Sequence, residues 1–231
     1  MKGKIRHILL MVLIILAIIS IYIIASPKIQ VTEEKEAFQI NKILLYSSAN
    51  TETSDDIEEN WELDIYQYTD IAIYIEKIGN KTINNVYIDN ISILQKPQLG
   101  EANLYKKPLE DFAKAMKVEA FAEKIEFEVA EDGEFLQNCT NPITISYINN
   151  VKQNYAITNI EEKLEYNETI LKRAKILTSE ITAQISFDVN IIDNENIKHA
   201  CNIQLDIPIE ELMNGQNVVE QSKNIKLTRT Q

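Results

Sequence analysis

Residues 181–207 read ITAQISFDVNIIDNENIKHACNIQLDI. Ile181, Ala183, Ile185, Phe187, Val189 and Ile191 occupy every second position, with Thr182, Gln184, Ser186, Asp188 and Asn190 between them. After the polar quartet 193–196, Cys201, Ile203, Leu205 and Ile207 take up the same beat. Successive side chains of a strand point to opposite faces, so a period of two predicts a β-hairpin with one buried face. Slipping either strand by one residue would turn a whole apolar row to water, which fixes the register.

The same beat runs through most of the chain upstream. Ile125, Phe127 and Val129 alternate with glutamates, Asp132-Gly133 marks a tight turn, and Ile143 to Ile148 is a further strand closed by an Asn149-Asn150 corner. Residues 155–158 form a short strand, and 159–175 read equally as loop or helical turn. Earlier, Trp61, Leu63 and Ile65, then Ile71, Ile73 and Ile75, alternate toward a Gly79-Asn80-Lys81-Thr82 turn, and the chain returns through Val86, Ile88, Ile91 and Ile93 as a hairpin or meander. Residues 38–47 make a first strand of imperfect alternation. Residues 48–60, with five carboxylates and no cation, read as a solvated loop, since their order lacks the spacing of an EF-hand. Residues 94–107 read as another loop. Pro108 then suits a first helical turn, and Leu109, Phe112, Ala113 and Met116 fall on one face of a single short amphipathic helix. After Pro208 the chain turns polar, and 224–229 is either a late strand or a frayed end.

The stretch 71–93, IAIYIEKIGNKTINNVYIDNISI, resembles the central hairpin of the immunoglobulin-like, CARDB-like extracytoplasmic domains of bacterial surface proteins. The likeness lies in the Asn- and Gly-containing turn and in the second-strand opening Asn85-Val86-Tyr87-Ile88. Lys77-Ile78-Gly79 departs from the family's Asn-x-Gly. The resemblance implies a β-sandwich and transfers no functional residue. The expected architecture is mainly β: an immunoglobulin-like antiparallel β-sandwich over 38–212 with one short helix and a polar tail at 213–231. Strand counts favour one elaborated sandwich over two domains, because the first half alone holds too few strands for a seven-stranded sandwich.

The front of the chain is of another kind. Residues 8–25, ILLMVLIILAIISIYIIA, run from Ile8 through Leu16 to Ala25 without a charge or a proline. As a helix this run is about 27 Å long, close to the roughly 30 Å hydrocarbon core of a bilayer. Lys2, Lys4 and Arg6 precede it, so residues 1–7 are expected in the cytoplasm and the remainder outside, with 26–37 as a linker. A cleaved signal peptide would have a shorter apolar core and an A-x-A-like site, and Ala25-Ser26 between Ile24 and Pro27 is a poor one. The expectation is therefore a single-pass signal anchor in the cell membrane.

The chain carries 23 Lys and Arg against 35 Asp and Glu. Without the three cations at the front the balance is 20 against 35, an acidic exterior that disfavours nucleic acid and anionic lipid headgroups. Asn is frequent while Gly and Pro number five each, which predicts corners built on Asn, a residue that tolerates left-handed backbone.

Residues that carry chemistry are few. Cys139 and Cys201 share the parity of apolar neighbours and are both expected to face inward, either as a disulfide, which would contribute about 4 kcal/mol, or as two small buried hydrophobes. His7 lies at the membrane border, so any His-dependent nucleophile centres on His199, two residues from Cys201; such a pair on one strand is far more often packing than catalysis. No glycine-rich phosphate loop and no zinc spacing is present. No catalytic, cofactor-binding or metal residue is therefore assigned, and no cofactor is expected. The sequence points to a membrane-anchored extracytoplasmic binding or interaction module of the bacterial cell envelope, with the lipid bilayer and an envelope protein or glycan as partners. A tethered carbohydrate-active hydrolase and a structural subunit of a secretion or transfer apparatus are the alternatives.

Overall fold

The computed structural model describes residues 36–57, 60–106, 124–135, 142–157, 170–207, 212, 217–221 and 224–230. Among them the two-residue beat becomes eleven strands: β1 Phe38–Ile57, β2 Asn60–Lys77, β3 Ile83–Gln95, β4 Glu101–Lys106, β5 Lys124–Phe127, β6 Ile143–Ile157, β7 Gln184–Asp193, β8 Lys198–Asp206, β9 Asn217–Gln221, β10 Ile225–Lys226 and β11 Thr228–Thr230. A helical turn, α1 Ile170–Arg173, and a 3-10 turn, Thr178–Glu180, stand between β6 and β7. The expected membrane segment from Ile8 through Leu16 to Ala25, the expected amphipathic helix at 109–116 and Cys139 lie outside the described residues, and so does the disulfide weighed between Cys139 and Cys201. Among the described residues no helix is long and apolar enough to cross a membrane.

The strands form two antiparallel sheets, one in the order β10-β1-β2-β6-β4 with β9 also on β1, the other β11-β8-β7-β3-β5. Strands from both halves of the chain interleave, β2 pairing with β6 and β3 with β7, so Glu36–Gln231 is one unit. Ile43, Leu45, Ile71, Ile73, Ile143, Ile145 and Tyr147 of the first sheet face Val86, Ile88, Ile185, Phe187, Val189, Ile191 and Leu205 of the second in a single core. Each fully buried aliphatic side chain contributes roughly 1.5–3 kcal/mol.

Two bulges explain where the alternation falters. Register shifts between Ile40 and Lys42, so Phe38 and Ile40 point inward and then, one residue out of step, Ile43 and Leu45 do. In β3 the shift lies between Asp89 and Ser92, where Asn90 takes φ 50° and moves the inward row from Val86 and Ile88 to Ile91 and Ile93. Asn154 and Asn196 also adopt left-handed backbone, the corner role that the Asn-rich composition predicts.

Several expectations are corrected. The turn at Gly79-Asn80 does not close a hairpin: β2 and β3 belong to opposite sheets, and the turn carries the chain between them, with the Ile78 amide donating to Ala37 O at 2.8 Å. Residues 48–57 are not a loop but the second half of β1, paired with β2 as far as Ile57↔Asn60. The loop expected at 94–107 contains β4, and Asn149-Asn150 is no corner but mid-strand in β6. The polar stretch after Pro208 carries three strands rather than a tail: β9 and β10 join β1, β11 joins β8, and Leu227 between the last two is wholly buried, its amide donating to Phe38 O at 3.1 Å. The end of the chain thereby stitches the two sheets together.

The inward row of the first sheet is not apolar throughout. Ser47, Gln67, Thr69 and Asn149 are buried between the main core and a second cluster that includes Ala49, Ile65, Val151, Ile170, Leu171 and Leu212. Ser47 Oγ and Thr69 Oγ1 share a hydrogen bond at 2.7 Å, and Asn149 Nδ2 donates to Leu99 O at 3.1 Å. Buried polar groups persist where they find partners, and each of these residues has at least one, although Gln67 Nε2 and Asn149 Oδ1 have none.

Candidate functional site

The residues with the most reactive side chains serve the fold. His199 is 4% exposed, and its Nε2 lies 3.1 Å from Asp193 Oδ2 at the closed end of the β7–β8 hairpin. Asp193 Oδ1 accepts the amides of Glu195 and Ile197, both at 2.9 Å, and so ties the 193–197 turn. Burial works to raise the Asp193 pKa, but the hydrogen bonds from His199, Ile197 and Glu195 outweigh it and hold the carboxyl below its ordinary value. Lys81 closes the cluster with an ion pair to Glu195 at 2.6 Å. The His199 ring meets Phe38 edge-on, with centroids 5.2 Å apart. Cys201 sits opposite Val189, half-buried against the main core; burial, followed by the charge of Asp188, pushes its thiol up to about 12. A thiol held protonated is a poor nucleophile. Among the described residues no group of three or more His, Cys, Asp or Glu side chains is placed to hold a metal ion.

A different surface has the shape of a site. Because Leu63, Ile65, Gln67, Thr69, Ile71, Ile73 and Ile75 of β2 point inward, Asp64, Tyr66, Tyr68 and Asp70 point outward. Strand register aligns these with the outward residues of β6 and β4 in three rows: Tyr66, Asn150, Glu101; Tyr68, Ile148, Asn103; Asp70, Ser146, Tyr105. The middle strand, β6, contributes the smaller side chains and becomes the floor. Tyr66 and Tyr68 rise on one side of it and Tyr105 on the other, two strands across and one row beyond Tyr68. The result is a groove of about 260 Å3 lined by Tyr66, Glu101, Asn103, Tyr105, Ile148 and Asn150.

Its walls are held in place. The Tyr66 and Tyr68 rings pack at 5.8 Å between centroids, tilted by 33°. The Tyr68 hydroxyl donates to Glu52 Oε1 at 3.0 Å, and Asn150 Nδ2 donates to the Tyr66 hydroxyl at 3.5 Å. Burial first, then the charges of Asp64 and Glu52, raise the Tyr66 pKa, so the phenol stays neutral. Ser146 Oγ donates to Asp70 Oδ1 at 2.6 Å beneath Tyr105. Asn150 Oδ1 is buried with no hydrogen-bond partner. Gly100 makes the approach of β4 possible: at φ +95°, a Cβ there would stand 2.3 Å from Asn149 Oδ1 and 2.6 Å from Asn150 O.

Family models, curated proteins and solved structures were compared with the chain. None matches.

The groove therefore rests on its own geometry. None of its residues was singled out by a reading that follows apolar rows, since all but Ile148 are polar or aromatic. The available signal was Tyr66-Gln67-Tyr68, two aromatic residues at the outward parity of a strand whose inward parity is mostly apolar.

Proposed function

We propose that this chain is a single-pass membrane protein, anchored by 8–25, whose immunoglobulin-like β-sandwich stands outside the membrane and serves as a binding module of the bacterial envelope. The strand order supports the immunoglobulin-like reading. β1, β2, β6 and β4 lie in the order of strands A, B, E and D of a constant-type domain, and β8, β7 and β3 in the order of G, F and C. β5 departs from that connectivity, since it lies beside β3 yet follows β4 in the chain.

The observation that carries the binding reading is the tyrosine-walled groove on the outer face of the β1-β2-β6-β4 sheet. A half-buried aromatic wall with fixed polar groups is what ligand sites use, with apolar surface for affinity and a few placed polar atoms for orientation. An anchor would raise the local concentration of such a face against envelope components, so a modest intrinsic affinity suffices.

The test is retention of the purified full chain on isolated bacterial cell envelopes, with a detergent lacking a sugar headgroup. The wild type should sediment with the envelopes, the Tyr66→Ala/Tyr105→Ala double variant should stay in the supernatant, and Tyr87→Ala on the other sheet should behave as wild type. Equal sedimentation of the double variant and the wild type would remove the groove from the account.

A further inference from the structure

We infer that the occupant of the groove is one unit of an uncharged glycan chain, a step that rests on the binding reading above. The space of about 260 Å3 lies at the small end of the roughly 300–1,000 Å3 range of small-molecule pockets, a size that suits one unit of a longer chain. Tyr66 and Tyr105 stand among its walls and Ile148 on its floor. A pyranose presents apolar C–H faces to such walls and a rim of hydroxyls to the polar groups beside them.

Those polar groups favour a ligand that donates. Glu101 accepts only, and Asn103 offers both donor and acceptor. Sugar hydroxyls donate and accept on every side of the ring. A proline-rich peptide, the usual occupant of aromatic grooves, brings carbonyl acceptors and few N–H donors, and so offers little to the Glu101 carboxylate. A peptide added as a strand docks on a sheet edge, and this groove lies on a face.

Charge removes the anionic polymers. Among the described residues no cation lines the groove, and the chain as a whole carries −12. A phosphate-bearing polymer or an anionic headgroup would meet only Glu101 and acidic surroundings. A lysine-rich peptide is the remaining rival, since tyrosines and a carboxylate also accept an ammonium group. The difference is in the salt response: a sugar makes neutral hydrogen bonds, whereas a cationic peptide depends on charge that salt screens.

The experiment titrates the full chain, in a detergent without a sugar headgroup, with three uncharged tetrasaccharides: β-1,4-linked N-acetylglucosamine, β-1,4-linked glucose and α-1,4-linked glucose. A proline-rich and a lysine-rich peptide are titrated in parallel. At least one tetrasaccharide should bind saturably, with an affinity that changes less than about twofold between low and high salt. Tyr66→Ala and Tyr105→Ala should each weaken it by about tenfold or more, the scale of a truncated anchor ring. Glu101→Gln, which keeps shape and removes the carboxylate, should weaken it while leaving the unfolding midpoint unchanged, and Tyr74→Ala should leave binding intact. Failure of all three sugars to bind the wild type overturns the glycan assignment, as does tighter binding of either peptide through the same tyrosines. If the sugars fail while Tyr66→Ala/Tyr105→Ala still loses the envelope, the binding face stands without the glycan. If envelope retention is also indifferent to that variant, both readings fall.

Discussion

Asp193 shows how one carboxylate organises the best-patterned part of the chain. It accepts two turn amides and meets His199, all without exposure to water. Replacing it by Asn should lower the unfolding free energy at pH 7 by about 1–3 kcal/mol, the range for leaving buried partners unsatisfied. Its folded pKa is depressed below 3.8, so its stabilising contribution is complete above that pH and is lost as pH falls through the lower folded value. Denaturant melts of wild type and Asp193→Asn should therefore converge as pH falls from 5 into stronger acid; a gap that persists undiminished there would contradict this. Tyr147 makes the opposite case. Its hydroxyl is buried without a partner, so Tyr147→Phe should be neutral or stabilising by up to about 1 kcal/mol in the same melts. At this scale the sequence was half legible. Ile and Val at alternate positions announced the inward row, but Gln67, Thr69 and Asn149 occupy that row too, and a polar residue does not declare by its type that it will find partners in a core.

At the scale of elements, legibility depended on how local the deciding contact is. The β7–β8 hairpin was readable because its strands are adjacent in sequence and its turn supplies its own hydrogen bonds. The corner at Gly79 was not, because a turn between two alternating runs looks the same whether the second strand returns beside the first or crosses to the facing sheet. β4 and β9 were missed, and 224–229 was left between strand and frayed end, for a related reason: each strand there is short and wins its place by pairing with a distant strand, β6, β1 or β8. Two such contacts are open to test. Leu227→Ala should cost about 2–5 kcal/mol, the range for a buried leucine, because it removes the plug between β10 and β11; a loss under 1 kcal/mol in a urea melt would mean the chain end is not part of the core. Gly100→Ala should cost about 1–3 kcal/mol through its positive φ and the close approach of Asn149 and Asn150. Since the same residue seats β4, it should also weaken any ligand that touches Tyr105, a joint loss that a purely surface change would not produce.

At the largest scale, the described residues of 36–230 form a pair of antiparallel sheets with an aromatic groove on the outward face of one of them. The sandwich was legible in the period of two, because only layered sheets bury rows of that spacing. The groove was not, since it exists only where register sets Tyr66 and Tyr105 on either side of Ile148, and register across three strands is a property of the fold. The most direct test of the account is hydroxyl-radical footprinting of the full chain with and without isolated bacterial envelopes, read at single side chains by mass spectrometry. Protection should concentrate on Tyr66 and Tyr105 and leave Tyr74 and Tyr87 unchanged. Unaltered labelling of Tyr66 and Tyr105 when the chain is envelope-bound, with protection elsewhere, would contradict it.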